Sequence, residues 1–103
     1  DQGEPSFEVE DPAAVERMVS EVARALREHS EAELEVGGHT SGEGSEEYNR
    51  ALGLRRAVRV RRQLEQRRIA SDRIVVRSYG ASEPASPDPE AAANRRVTLR
   101  LLH

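Results

Sequence analysis

The sequence contains no cysteine, no lysine and no tryptophan, and it has only one phenylalanine and two tyrosines. Without cysteine there are no disulfide bonds, thiolate nucleophiles or zinc–thiolate sites, although the redox compartment stays undecided. With so few aromatic residues, the core of this 103-residue chain must consist of leucine, valine, isoleucine and alanine. Such a core suffices for one thin two-layer domain but not for a deep pocket, so we expect any ligand to occupy a shallow surface groove.

Long apolar runs are also missing. No stretch approaches the roughly 20 consecutive apolar residues of a membrane-spanning helix, and the first six residues do not resemble a signal peptide. If the protein is exported, we expect its targeting segment or membrane anchor to lie outside this sequence.

The charges are distributed unevenly along the chain, although the formal net charge is only −3. Residues 1–47 contain 14 acids and 3 arginines, whereas residues 48–103 contain 5 acids and 13 arginines. An arginine-rich half is one feature of nucleic-acid-binding proteins. However, the two halves of a single domain pack together and their charges interleave, so we favour a domain that does not bind nucleic acid.

Apolar periodicity in the first half predicts a strand, a helix and a second strand. Residues 7–10 alternate apolar and acidic side chains, as in a half-buried strand. The pair Asp11-Pro12 is typical of a helix cap and first helical position, and apolar spacings of three and four continue the helix to residues 28–30. Residues 32–37 alternate again, and the glycine-rich run that follows predicts a loop.

The second half predicts a long helix and two further strands. Ser45 and the two acids after it indicate a helix start, and the helix continues to about Arg67. Residues 73–79 have strong β character, residues 80–93 contain three prolines and predict a surface loop, and residues 97–102 alternate as a final strand. This order favours a two-layer α+β or α/β sandwich in which helical crossovers make some neighbouring strands parallel.

Arg56 occupies an unexpected position in the second helix. It lies only about 60° from the centre of the apolar face, whereas Arg55, Arg59 and Arg62 point well away from that face. A guanidinium does not lose its charge, so a partly buried Arg56 requires a carboxylate or carbonyl partner. That partner is either internal, such as an acid or the carbonyls at a strand end, or the carboxylate of a ligand, and the helix geometry leaves both open.

Residues 37–69 carry a spaced motif that continues towards the end of the chain. Its positions are Gly38, His39, Thr40, Gly44, Asn49, Leu52, Arg56, Ala57, Val60 and Leu64. Two further segments follow, which are Tyr79-Gly80 with Glu83-Pro84, and Asn94-Arg95-Arg96-Val97. In this order and at these spacings, the sequence resembles the OmpA-like peptidoglycan-binding domain over residues 7 to 102.

The resemblance implies an α+β fold, a two-layer β-α-β-α-β-β sandwich whose mixed sheet carries two helices on one face. It implies one domain over residues 7–103, preceded by a linker or disordered segment at residues 1–6. The implied partner is peptidoglycan, bound non-covalently through its diaminopimelate-containing stem peptide, so that an outer-membrane-associated protein in the periplasm is anchored to the cell wall. The resemblance implies no enzyme activity, cofactor or metal. It implies that any contact with the membrane is made through a segment outside this sequence, and it leaves the oligomeric state open.

The resemblance also assigns ligand-binding residues by position. Arg56 corresponds to the family's arginine that binds a ligand carboxylate. Thr40 and Asn49 are expected to line the same groove, with Arg95 at its edge. Asp11 falls in the region of a family loop that carries an acid, although it is also expected to cap a helix.

Ser41 is the sixth assigned residue and the main departure from the family pattern. The family has an aspartate here, which meets an ammonium or amide group of the ligand. Loss of a charge-assisted hydrogen bond of about 1.5–3 kcal/mol weakens binding by roughly 10- to 150-fold. Ser41 still accepts a hydrogen bond, and Glu43 is a candidate substitute. The alternative interpretation is a degenerate domain that serves as a protein–protein interaction or scaffold module.

His39 invites two other interpretations, which we do not favour. His39 and Ser41 share one side of a strand end but lie about 7 Å apart, which argues against a nucleophile and base completed by Asp72. A metal site formed by His39 and Glu43 lacks a third ligand nearby. The basic stretch at residues 59–68 lacks aromatic residues for base stacking, so we interpret it as a solvated helix face, with contact to an anionic polymer as the alternative.

Overall fold

The computed structural model describes residues 6–8, 11–83, 87–88 and 94–102. Its elements are strand β1 (Ser6–Glu8), helix α1 (Pro12–Glu28), strand β2 (Glu33–His39), helix α2 (Glu46–Gln66), strand β3 (Ile74–Gly80) and strand β4 (Arg96–Leu102). A single 3-10 turn at Ser71–Arg73 leads into β3. The element order is the predicted one.

The strands form one mixed four-stranded sheet in the order β1-β4-β2-β3. β2 and β3 are parallel, as the crossover through α2 requires, while β4 is antiparallel to both β1 and β2. Val36 lies opposite Val76 on one side and Leu99 on the other, so the apolar positions of three strands share one face. Both helices cover this face, which gives the predicted two-layer α+β sandwich.

The core between the sheet and the helices consists of aliphatic side chains, as the composition predicts. Its members are Val15, Val19, Ala23, Leu26, Ala32, Leu34, Val36, Ala57, Val60, Leu64, Ile69, Ile74, Val97 and Leu99. Full burial of a valine or leucine side chain contributes about 1.5–3 kcal/mol relative to leaving it exposed. This set therefore holds both helices against the sheet.

The helix starts follow from their capping residues. Asp11 Oδ1 accepts hydrogen bonds from the backbone N–H groups of Ala13 (3.1 Å) and Ala14 (3.2 Å), which fixes the start of α1. Ser45 Oγ accepts a hydrogen bond from Tyr48 N at 3.1 Å and caps α2 in the same way. Both predicted helices are confirmed within two residues at each end.

β2 continues further than the sequence predicts. The glycine-rich run after residue 37 was expected to form a loop, but Gly38 and His39 belong to the strand. β2 is a central strand, and the pairing of Gly38 with Ser78 of β3 and Val97 of β4 satisfies its backbone on both sides. Ladder pairing on both edges therefore overrides the loop preference of glycine.

Glu35 lies on the face of the sheet opposite the helices, where the alternation of β2 indicates a solvated side chain. It is instead only 5% exposed. Tyr79 Oη donates a hydrogen bond to Glu35 Oε1 at 2.7 Å, and Arg100 Nη2 and Arg77 Nη1 lie 3.4 and 3.6 Å from Glu35 Oε2. Three neighbouring polar side chains therefore bury the carboxylate and satisfy it.

Some predicted segments lie wholly or partly outside the described residues. These are residues 1–5 of the predicted linker, residues 9–10 of the first strand and much of the loop at 80–93. Ser6 begins β1 and Gly80 ends β3. Within the part of the chain that the structure describes, neither helix is apolar enough to cross a bilayer.

Candidate functional site

The candidate site lies where β2 ends and the loop of residues 40–45 leads to α2. Thr40 N donates a hydrogen bond to Gly80 O at 2.9 Å, which ties the start of this loop to the end of β3. Thr40 and Ser41 are both buried. The hydroxyl of Thr40 has no hydrogen-bond partner among the described residues, so a buried donor and acceptor is unused at the strand end.

Arg56 reaches this strand end from α2. Its Nη1 donates a hydrogen bond to His39 O at 2.8 Å, and the residue is half-buried. The strand-end carbonyl, which was one of the two partners left open by the sequence, is therefore present. The bond holds the guanidinium beside the residue that precedes Thr40.

Ser41 is paired with an acid in the same loop. Its Oγ donates a hydrogen bond to Glu43 Oε1 at 3.2 Å. Ser41 is buried, whereas Glu43 is exposed to solvent. The loop therefore presents a carboxylate next to the position where the sequence lacks the expected aspartate.

An open groove of about 650 Å³ runs beside this loop, as expected for a thin domain. Its lining residues are Gly42, Gly44, Glu46, Asn49, Arg50, Arg77, Ser78, Tyr79, Gly80, Ala81 and Ser82. Gly44 (φ 86°) and Gly80 (φ 53°) adopt left-handed backbone conformations that favour glycine. Both turns therefore bring backbone close to Asn49 without an intervening side chain.

Asn49 is the predicted residue that lines the groove. It is only 4% exposed, and within the described residues its side-chain amide forms no hydrogen bond. An amide offers two donor hydrogens and one acceptor oxygen. Asn49 is therefore available to bind a polar group in the groove.

The buried side chain of His39 makes packing and hydrogen-bond contacts within the domain. Its ring stacks on Tyr79 at a centroid distance of 5.0 Å, and its Nε2 lies 3.0 Å from Thr98 Oγ1 in a hydrogen bond. Burial, followed by the positive charge of Arg96, lowers the pKa of His39 from 6.5 to about 4. The ring is thus neutral at pH 7 and is hydrogen-bonded to Thr98 rather than to Ser41. Among the described residues there is also no group of three His, Cys, Asp or Glu side chains placed to hold a metal.

The remaining two predicted residues lie at the same end of the sheet. Val97 pairs with Gly38, so Arg95, which is half-buried, precedes β4 beside the end of β2. β1 ends at Glu8, which pairs with Arg96, and Asp11 follows three residues later in the chain. However, the Asp11 carboxylate is engaged as the cap of α1, and no hydrogen bond or ion pair joins it to the other predicted residues. Arg56, Thr40 and Ser41 therefore lie at the end of β2, and Asn49 alone of the six predicted residues lines the groove, whereas Asp11 makes a separate, structural contact.

One wall of the groove, which α2 and β3 form together, was not predicted from the sequence. Ser78 Oγ donates a hydrogen bond to Arg50 O at 2.6 Å, which joins the two elements along the groove. The motif segment Tyr79-Gly80 was the available signal for this wall. Its position beside Asn49 depends on the parallel register of β2 and β3, which the sequence does not specify.

Comparison with solved structures supports this fold. The crystal structure of the peptidoglycan-associated lipoprotein from Burkholderia pseudomallei matches with a TM-score of 0.78 and 29% identity, covering 84% of this chain and 75% of that chain. The C-terminal domain of Helicobacter pylori MotB matches with a TM-score of 0.77 over 90% of this chain and 76% of that chain. Its 19% identity supports the fold alone.

Sequence comparison gives the same relationship. The peptidoglycan-associated lipoprotein of Legionella pneumophila is 40% identical over 82 residues, which are 77% of this chain and 47% of the relative. Outer membrane porin F of Pseudomonas fluorescens is 35% identical over 83 residues, which are 81% of this chain and 25% of the porin. The chain therefore spans about half the length of the lipoproteins it matches, and less of the porin. The OmpA family model matches residues 3–98, and the chain belongs to the OmpA family.

Proposed function

We propose that this domain binds peptidoglycan non-covalently through the diaminopimelate-containing stem peptide, in the periplasm, and thereby anchors an envelope protein to the cell wall. The observation that carries the proposal is the position of Arg56, whose guanidinium is held at the end of β2 beside Thr40 and Ser41. Relatives named peptidoglycan-associated lipoprotein support the same ligand class. The family consists of structural proteins rather than enzymes, so the prediction of a non-enzymatic domain is confirmed.

Arg56 is the proposed carboxylate-binding residue. A guanidinium presents five N–H donors in a planar fork that matches a carboxylate. The bond to His39 O orients that fork at the strand end. A stem-peptide carboxylate bound here would add a charge-assisted interaction, the stronger class of hydrogen bond.

The loop supplies the complementary groups for the rest of the ligand. Asn49 offers an amide in the groove, and the buried hydroxyl of Thr40 lies at the strand end. The Glu43 carboxylate, held by Ser41, supplies negative charge for an ammonium group. In this arrangement Ser41 weakens the site relative to an aspartate, and Glu43 recovers part of the lost attraction. Arg95 lies at the edge of the site.

The test is isothermal titration of the domain with a purified muropeptide that contains diaminopimelate. We expect wild type to bind and Arg56→Ala to lose about 10- to 150-fold in affinity, the equivalent of one charge-assisted hydrogen bond. Arg62→Ala is the matched control, because it removes the same charge from the exposed side of α2. Circular dichroism of each variant checks that the fold is retained. Absence of binding by wild type contradicts the proposal.

A degenerate domain that acts as a protein–protein interaction module is the second candidate, and Ser41 is the residue that favours it. Ser41→Asp separates the two functions. If the groove binds the stem peptide, this change tightens an affinity that wild type already has. If wild type does not bind and Ser41→Asp does, the site is degenerate and the scaffold function is favoured.

A further inference from the structure

Strand β3 forms one edge of the sheet. Among the strands that the structure describes, the order β1-β4-β2-β3 leaves β3 paired with β2 alone. The pairing is regular from Ile74 to Ser78 and shifts only after that, where His39 pairs with Gly80. The regular stretch contains neither proline nor glycine. Its outer side therefore offers a row of backbone N–H and C=O groups to another strand.

Exposed apolar side chains lie on both faces of this edge. Val75 points away from the helices, because its neighbours Ile74 and Val76 pack into or against the core, and it is 42% exposed. Leu54 of α2 is 46% exposed. Leu54 and Arg56 lie on opposite flanks of the buried helix face, and Arg56 reaches the end of β2, so Leu54 lies on the flank towards β3. We call the regular stretch of β3 together with Leu54 the β3 edge surface.

The regular stretch of β3 is complementary to a second copy of itself. Its central residue is Val76, and antiparallel pairing about a two-fold axis at Val76 sets Val75 of each copy opposite Arg77 of the other. An axis one residue earlier sets Arg77 opposite Arg73, and an axis one residue later sets the two Arg77 side chains opposite each other. Like charges directly opposite are destabilising. The register centred on Val76 therefore pairs the whole regular stretch and opposes no two arginines.

The helices of two such copies fit side by side. A Cβ atom built on Gly53 would lie 2.5 Å from Ser78 Oγ of β3 and 2.8 Å from Gly38 O of β2, so α2 lies over both strands. Neighbouring strands are about 4.8 Å apart, and a helix centred between β2 and β3 therefore lies about 10 Å from its counterpart across the new strand pair. This is an ordinary distance between the axes of packed helices.

The charges on α2 match about the same axis. Gly53 lies above Ser78, and Val76 is about 7 Å back along the strand, so the axis passes α2 roughly four to five residues after Gly53. Arg50 and Glu65 lie on the flank towards β3, about two turns before and after this point. The axis therefore places Arg50 of each copy towards Glu65 of the other. Their present ion pairs lie within the helix and are accessible to solvent, so little is lost if they rearrange.

We propose that two copies of this chain pair antiparallel along the β3 edge surface, with the two-fold axis at Val76, and join their four-stranded sheets into one. The occupant is a second copy because the strand register and the helix charges match about one axis. The inference does not rest on the proposed function, since Arg56 lies on the opposite flank of α2. A domain that fails to bind muropeptide is still expected to dimerise.

The test is sedimentation equilibrium of the domain over a range of protein concentrations, in which we expect wild type to dimerise reversibly. Val75→Gln is the uncharged reference for two charged variants at the same position. Because residue 75 faces Arg77 of the other copy, Val75→Glu should dimerise about fivefold more tightly than Val75→Gln, and Val75→Arg about fivefold more weakly. Both differences should shrink as the salt concentration rises.

The stability of the monomer separates this effect from a change in folding. Glu35 lies opposite Val75 on β2 of the same chain, so Val75→Arg gains a carboxylate neighbour within the monomer and Val75→Glu gains a repulsion. Urea denaturation of the dilute monomer should therefore rank the two variants in the opposite order from dimerisation. Leu101→Glu and Leu101→Arg are matched controls, because Leu101 is 40% exposed on β4, which β2 separates from β3. Both should dimerise as wild type does.

Three results would overturn the proposal. The first is a wild-type chain that stays monomeric up to about 1 mM. The second is an equal dimerisation constant for Val75→Glu and Val75→Arg, because residue 75 would then not face Arg77. The third concerns the helix flank: Leu54→Arg should weaken dimerisation several-fold by adding like charge where the two helices meet, and an unchanged constant would contradict this arrangement.

Discussion

Gly38 of β2 and Gly53 of α2 meet backbone to backbone. A Cβ atom built on Gly38 would lie 1.7 Å from Gly53 O, and one built on Gly53 would lie 2.8 Å from Gly38 O. The two glycines therefore let the helix approach the sheet more closely than any other residue pair would allow. One turn of α2 further on, Arg56 reaches the carbonyl of His39, the residue that follows Gly38.

Gly38→Ala should therefore destabilise the domain. The added methyl group meets backbone rather than a side chain that can rotate away, so we expect a loss of about 3 kcal/mol in the free energy of unfolding. Urea denaturation measures this loss. Gly42→Ala is the control, because Gly42 is exposed and does not have a positive φ angle; its effect should stay within about 0.5 kcal/mol. Equal stability of the two variants would contradict the close packing of Gly38.

Glu43 should affect ligand binding through its carboxylate. Because Ser41 holds it at the loop, we expect Glu43→Gln to weaken muropeptide binding by about tenfold, the equivalent of 1.4 kcal/mol. Ser41→Asp in the Glu43→Gln background should restore the loss, and titration of the three proteins measures both effects. If Glu43→Gln binds as tightly as wild type, Glu43 does not substitute for the missing aspartate.

His39 should make the stability of the domain depend on pH. Its pKa in the folded domain is about 4, below the value of 6.5 for a solvated ring, so protonation favours the unfolded chain. The stability contributed by the neutral ring is complete above pH 6.5 and is lost as the pH falls from 6.5 through about 4. His39→Gln removes the titrating group, so urea denaturation between these pH values should show a shallower decline for the variant. Parallel declines would show that other groups dominate.

Glu35 should matter for stability although it is a charged residue in a strand. Glu35→Ala leaves the half-buried Tyr79 hydroxyl without its acceptor and leaves Arg77 and Arg100 without their shared carboxylate, so we expect a loss of about 1–3 kcal/mol. Glu33→Ala is the matched control, because Glu33 lies on the same face of the same strand and is exposed. Thermal denaturation compares the two, and a similar small effect for both variants would mean that the cluster around Glu35 is not stabilising.

The order of the elements was predictable because each is encoded locally. The Asp11 and Ser45 caps and the apolar spacing of the helices act within a few residues, and so do the β character of β3 and the alternation in β4. Arg56 was identified for a similar reason, since its angle to the apolar face follows from the helix alone. Its partner, His39 O, belongs to an element 17 residues away, and the sequence left that contact open.

The contacts that sequence reasoning missed depend on which strands are neighbours. Glu35 becomes buried only because β3 and β4 flank β2 and bring Arg77, Tyr79 and Arg100 to it. The extension of β2 through His39 has the same cause, since pairing on both edges stabilises the glycines in extended conformation. Such information is not contained in the pattern of any single segment.

The position of β4 between β1 and β2 governs when the sheet can be completed. Among the described strands, β1 pairs with β4 alone, and the paired residues Glu8 and Arg96 lie 88 positions apart in the sequence. During synthesis, α1 and the β2-α2-β3 unit emerge before β4 exists, so β1 and one edge of β2 remain without a backbone partner until the last strand is made. A chain that stops short of Arg96 should therefore leave the edges of β1 and β2 that β4 covers without a backbone partner.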